Sequence, residues 1–243
     1  DDKKATIYKL MDENLRAWHA GESQWQGRTW MNSSSIGIEI VNPGHEFGYR
    51  PFPEAQMDTV TLLVAELVRT YGIDPRNVVG HSDVAPTRKE DPGELFDWER
   101  LAKLGCAVPR PRASLVDPGW PDAAFFLALE RYGYGINDGR AATVAFQRRF
   151  RPENIDGVVD GECRAILLSL LLAVDPLVPP DSACLALLGL KRGLGDDIVI
   201  APYATALAAM VEPHAAALNF SRLLVGFWAT TRRRMVKAGF SPV

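Results

Sequence analysis

The chain has few of the residues that would point to redox, thiolate or membrane chemistry: among its 243 residues are only three cysteines and four histidines. Cys106, Cys163 and Cys184 stand far apart with no Cys-x-x-Cys pair, which argues against a disulfide framework and a thiolate zinc site. They read as small apolar residues. No long basic stretch precedes Arg232 and the net charge is -3, so nucleic acid is not the expected partner. The longest apolar run, Ala165 to Val174, is too short to cross a bilayer and is interrupted by Ser169. It reads as a buried helix, and no membrane-spanning segment is expected. The chain opens Asp-Asp-Lys-Lys, without an initiating Met or a charged and then apolar leader, the look of a fragment or a processed product.

A chain that is 47% hydrophobic and 23% charged can bury a core, and 243 residues exceed the usual single domain. Residues 5–10 and 35–41 alternate like strands. Val60, Leu63, Val64, Leu67, Val68 and Tyr71 follow helical spacing up to Gly72, and residues 77–80 form a short strand that delivers His81. This order predicts an α/β domain, a mixed sheet flanked by helices, over residues 1–105. Residues 106–119 carry three prolines and no apolar period, the composition of a linker. Three helical patterns follow at 121–132, 139–150 and 160–174, a small module over 120–175 whose core would include Leu127, Phe146 and Phe150. Residues 176–243 change composition again, opening on a proline cluster and ending in Arg232-Arg233-Arg234.

Reactive side chains are densest between His81 and Gly93, where one imidazole, two aspartates, an arginine and a lysine share a loop interrupted by Pro86 and Pro92. Such a loop cannot be helical throughout and can fold back so that His81 meets Asp91. Imidazole nitrogen and carboxylate oxygen are ordinary zinc ligands. A His and an Asp at this spacing are, by themselves, more often a satisfied histidine and a turn-forming aspartate.

The whole string, Gly80-His81-Ser82-Asp83-Val84-Ala85-Pro86-Thr87-Arg88-Lys89-Glu90-Asp91-Pro92-Gly93, shifts that balance. It resembles the signature loop of the zinc-dependent N-acetylmuramoyl-L-alanine amidases, which share a fold with peptidoglycan-recognition proteins. Ala17-Trp18-His19-Ala20-Gly21 and Ser35-Ile36-Gly37-Ile38-Glu39 agree in order and spacing, and the resemblance covers residues 5 to about 105. It implies a Zn2+ cofactor with His81 and Asp91 as ligands, Glu39 as the carboxylate that takes the proton of the attacking water, and Lys89 as the oxyanion stabiliser. Trp18 and His19 would lie beside the substrate cleft. Outside the motif, Glu39 would read as an exposed strand-end acid and Lys89 as a solvated cation.

In one respect the chain departs from the family, which takes a further zinc ligand from a His at the end of a strand upstream of the Ile7-Tyr8-Lys9-Leu10 segment. The remaining histidines are His19, His45 and His214, of which His45 in the turn after Pro43 is the only substitute. The expectation is an amidase domain truncated at its N-terminus that binds zinc weakly.

Residues 128–135, 144–150 and 156–160 resemble a three-helix peptidoglycan-binding module, which implies a polymer tether. Residues 189–207 resemble a piece of the glycoamylase-like region of large cyclic-glucan synthases, too short to work alone, so the tail is expected to have no function and glucan synthesis is a remote third reading. The expected activity is hydrolysis of the amide between N-acetylmuramic acid and L-alanine in peptidoglycan or muropeptides. The competing reading is a non-catalytic peptidoglycan-binding protein. A monomer in the bacterial envelope is expected, with cytoplasmic recycling the alternative.

Overall fold

The computed structural model describes residues 5–111 and 116–174 and the backbone of 222–226. A short helix α1 (Met31–Ser34) leads into strand β1 (Ser35–Glu39), followed by helix α2 (Glu54–Tyr71), strand β2 (Val78–Gly80) and a single turn α3 (His81–Val84). Helices α4 (Trp98–Lys103), α5 (Asp122–Tyr132), α6 (Gly139–Phe150) and α7 (Gly161–Val174) come next, and strand β3 (Arg222–Gly226) closes the order. The sheet runs β1-β3-β2 with both pairings parallel, Glu39 opposite Gly226 and Gly80 opposite Val225. The centre of the sheet is therefore taken by five residues of the 176–243 segment, which the sequence reading had set apart.

Helix α2 forms because Met57, Val60, Thr61 and Val64 recur on one buried face. It stops at Gly72, which adopts the left-handed conformation (φ 60°) and returns its N–H to the Val68 carbonyl. On α5 the buried set is Phe125, Ala128, Leu129 and Tyr132, again one helical face. Leu127, expected in the core, is 58% exposed because it lies off that stripe, whereas Phe146 and Phe150 are buried as expected. Asp138 caps α6 by accepting from Ala141 N–H at 2.9 Å. Ala165, Ile166, Leu167 and Leu170 bury α7, and among the described residues no helix is long and apolar enough to cross a membrane. Cys106 and Cys163 are buried free thiols; Cys184 lies outside the described residues.

Residues 5–10 do not form the expected strand. Alternation supplies a face but not a partner: Ile7 and Leu10 stay 43% and 47% exposed, and no described strand pairs with them.

Successive residues of β2 point to opposite faces and into two different cores. Val78 joins a cluster with Ile40, Met57, Val64, Ile73 and Leu101, under α2 and α4. Val79 joins the other, with Ala20, Trp25 and Val84 from the first part of the chain and Phe125, Phe146 and Leu167 from α5, α6 and α7. The helical module thus packs over one side of β2 and shares a core with the residues around the signature loop. Gln26 N–H also donates to the Gly133 carbonyl at 2.8 Å, and the Trp25 ring meets Tyr134 edge-on at 5.1 Å. The helices expected as a separate module after a linker pack in this structure as a layer against the first part of the chain.

At that junction Asp83 is 1% exposed. Its carboxylate accepts from Gly80 N–H at 2.7 Å, from the Tyr134 hydroxyl at 2.7 Å and from Arg149 Nη1 at 3.3 Å. Arg149 also donates to the Val78 carbonyl and lies over the Trp98 ring at 3.7 Å. Removing one partner of a buried, hydrogen-bonded ion pair typically costs about 3–5 kcal/mol. Asp83→Ala is expected to lower stability by about that much, and the two parts should unfold in one transition in chemical denaturation. A loss below about 1 kcal/mol, or two separate transitions, would contradict the shared junction.

Candidate active site

The C-terminal ends of β1 and β2 lie at the same edge of the parallel sheet, where α/β folds place their ligands. Glu39 is the last residue of β1 and His81 the first after β2. The loop after His81 folds back as expected: Ser82 N–H donates to the Asp91 carbonyl at 2.8 Å, which brings Asp91 Oδ2 to 3.2 Å from His81 Nδ1. Both residues are buried, at 3% and 7% exposure. The turn is tight enough that a Cβ at Gly80 would meet Pro92 Cδ at 2.9 Å.

On its other side His81 Nε2 lies 3.1 Å from the Ala20 carbonyl oxygen. That oxygen can only accept, so Nε2 carries a proton, and in the neutral ring the Nδ1 lone pair then faces the Asp91 carboxylate. Two acceptors at 3.2 Å are favourable only with a proton or a cation between them. A backbone carbonyl that fixes the tautomer of a ligating histidine is the usual support of a metal site.

Glu39 keeps a side open to water, but the protein packed around it and the charge of Asp91 push its carboxyl up to about 7, against the pull of His81 and Lys89. Glu39 is thus within electrostatic reach of His81, Lys89 and Asp91. Lys89 is half-buried, its N–H bonded to the Ala85 carbonyl. His19 is partly buried: its Nε2 bonds Ser35 Oγ at 2.8 Å, and its ring lies over Gly37, where a Cβ would come within 2.6 Å. Burial lowers its pKa. Trp18 is 78% exposed.

His45 is not brought to this cluster. Its ring nitrogens face Glu90 at 3.2 Å and Glu94 at 3.0 Å, and it stacks on Tyr49. Among the described residues no group of three or more His, Cys, Asp or Glu side chains converges to hold a metal ion; His214 lies outside them. Two residues missed in the sequence complete the setting. Arg88 donates from Nη2 to the Ala20 and Glu22 carbonyls at 2.7 and 2.6 Å, and Asn32 Oδ1 accepts from Ala20 and Gly21 N–H. Both fix the segment that carries Trp18 and His19. Arg88 stood within the signature loop, but its long-range acceptors had no local signal.

A family profile described as N-acetylmuramoyl-L-alanine amidase (Amidase_2) matches residues 2–94. The chain is 37% identical over 198 residues to the N-acetylmuramoyl-L-alanine amidase AmiD of Escherichia coli K12, covering 69% of this chain and 68% of that protein. Against the 1,6-anhydro-N-acetylmuramyl-L-alanine amidase AmpD of the same organism the identity is 42% over 98 residues, 40% of this chain and 51% of AmpD. The chain therefore spans about two thirds of AmiD and about half of AmpD. Among solved structures it is similar to E. coli AmiD in complex with anhydro-N-acetylmuramic acid-L-Ala-D-gamma-Glu-L-Lys, at TM-score 0.62 and 36% identity, covering 69% of this chain and 72% of that one. It is likewise similar to AmpDh3 of Pseudomonas aeruginosa in complex with anhydromuramic pentapeptide, at TM-score 0.63 and 34% identity, over 69% and 73% of the two chains.

The raised Glu39 value has a defined sign in the metal-free protein. Folded, the group holds its proton more tightly than in the unfolded chain, so its contribution to stability declines as pH rises from about 4.5 towards about 7. Glu39→Gln should remove that decline. Melting temperatures measured in chelator should show the variant gaining on the parent across this interval, and parallel profiles would contradict the raised value.

Proposed function

Because the chain belongs to the N-acetylmuramoyl-L-alanine amidase family, we propose that it cuts the amide between N-acetylmuramic acid and L-alanine in peptidoglycan or its fragments, with zinc held by His81 and Asp91. The observation that carries this reading is the convergence of Glu39, His81, Lys89 and Asp91 at one edge of the sheet.

The donor set fits the ion. Two ligand atoms, each about 2 Å from a tetrahedral zinc, stand roughly 3.3 Å apart, and His81 Nδ1 and Asp91 Oδ2 are 3.2 Å apart. Bound there, zinc would polarise the scissile carbonyl and acidify water. Glu39, at the end of β1 beside Asp91, would take the proton of the attacking water and deliver it to the leaving amine of L-alanine. The Lys89 ammonium would meet the negative charge that develops on the carbonyl oxygen. Trp18 and His19 would border the bound substrate. A catalytic zinc site uses three protein ligands, and the third is not among the described residues; with His81 and Asp91 alone, zinc affinity would be weak.

The helical layer α5–α7 is proposed to bind peptidoglycan, which would place a monomeric protein in the bacterial envelope. A second reading, peptidoglycan binding without hydrolysis, is favoured by the two-ligand zinc set alone. The two are separated by measuring zinc content and peptide release from purified peptidoglycan at rising zinc concentration. The amidase reading expects zinc-dependent release, abolished in Asp91→Ala together with zinc binding. Sedimentation with peptidoglycan but no release at saturating zinc would favour the binding protein.

A further inference from the structure

Trp18 and Trp30 are the most exposed large apolar residues in the described chain, at 78% and 72%. Neither contributes to a core, and exposed aromatics of this size that border one depression mark a binding surface rather than a folding requirement. Between them runs a groove of about 300 Å³, bordered also by Arg16, Gly21, Glu22 and Asn32.

The two walls are held in fixed relation. Asn32 Oδ1 accepts from Ala20 N–H at 2.8 Å and from Gly21 N–H at 3.2 Å, tying the Trp30 wall to the Trp18 wall. Arg88 clamps the Trp18 wall from behind through the Ala20 and Glu22 carbonyls. Met31, next to Trp30, is fully buried and anchors that side. The Arg16 guanidinium sits 4.0 Å over the Trp18 ring, which orients the indole while most of its surface stays in solvent. A groove set in place before its ligand arrives loses little entropy on binding.

The groove wall is continuous with the support of the proposed metal ligand. The Ala20 carbonyl, which accepts a hydrogen bond from His81 Nε2–H, belongs to the residue before Gly21 in that wall.

We propose that this groove is a sugar subsite, taking a pyranose of the glycan strand next to the muramic acid whose amide is cut, with Trp30 as its specificity-determining residue. The proposal rests on the amidase reading and extends it to substrate choice. A pyranose has faces of C–H groups that lie flat on the electron-rich face of an indole, and a rim of hydroxyl and acetamido groups. The groove repeats that division, with two indoles and, around them, the Arg16 guanidinium, the Glu22 carboxylate and the Asn32 amide. A purely aliphatic ligand would desolvate those polar groups without replacing their hydrogen bonds. The chain should therefore favour muramic acid carried on a glycan strand over a muropeptide with a single sugar.

Calorimetric titration of the whole chain with N-acetylglucosamine tetramer tests the subsite without any catalytic step. Saturable binding is expected, weakened about tenfold in Trp30→Ala, with an unchanged melting temperature because the side chain is exposed. In zinc-supplemented assays, Trp30→Ala should raise KM for glycan-strand substrate and leave release from a single-sugar muramyl peptide unchanged. Absence of tetramer binding, or equal binding by parent and variant, overturns the subsite even if peptide is released. Trp30-dependent tetramer binding by a chain that releases no peptide from either substrate sustains the sugar site and overturns the amidase reading.

Discussion

The Asp83 carboxylate joins the end of β2 to two positions of the helical layer 51 and 66 residues away in sequence. It receives the Gly80 N–H at the end of β2, the Tyr134 hydroxyl just after α5 and the Arg149 guanidinium of α6. Gly80 is the residue before His81, so the helical layer is bonded to the backbone that aims the proposed zinc ligand. A buried carboxylate with three donors tolerates little displacement, because each lost partner leaves charge in an apolar setting. The Val79, Phe125 and Phe146 core closes around the same point.

From that fixed loop the chemistry follows by short steps. The Ala20 carbonyl accepts a hydrogen bond from His81 Nε2–H, leaving Nδ1 to face Asp91, and Arg88 donates to the same carbonyl. Glu39 arrives from β1 at the level of Gly80, close enough to Asp91 for the two carboxylates to repel. Like charge and the protein around it hold that carboxyl above the usual carboxylate range in the metal-free protein. The segment bearing Trp18 and His19 is positioned by the same contacts, so the proposed substrate cleft and the proposed metal site share their supports.

Much of this was legible where the signal is local. The buried stripe of α2, the stop at Gly72, and the extents of α5, α6 and α7 follow from apolar period and capping residues. His81 and Asp91 were legible from the resemblance of the whole signature string; the two prolines only rule out a continuous helix and allow the loop to turn back. Non-local pairing was not legible. Residues 5–10 alternate like a strand but have no strand partner among the described residues, whereas Arg222–Gly226 pairs with two strands more than 140 residues away. Tyr134 and Arg149 reach Asp83 across 51 and 66 residues, and no pattern in either segment encodes that meeting. Trp30 belongs to no motif, and only its exposure beside Trp18 singles it out.

The central claim is that the helical layer positions the proposed metal ligands through Asp83. Zinc affinity of Tyr134→Phe, measured by competition with a chromophoric chelator, tests it most directly, since Tyr134 touches neither His81 nor Asp91 in any hydrogen bond given by the structure. Loss of a group that supports a ligand from behind usually lowers metal affinity by about 10- to 100-fold. The account predicts a loss towards the lower end of that range in a variant that remains folded. A folded Tyr134→Phe protein with the zinc affinity of the parent would contradict it.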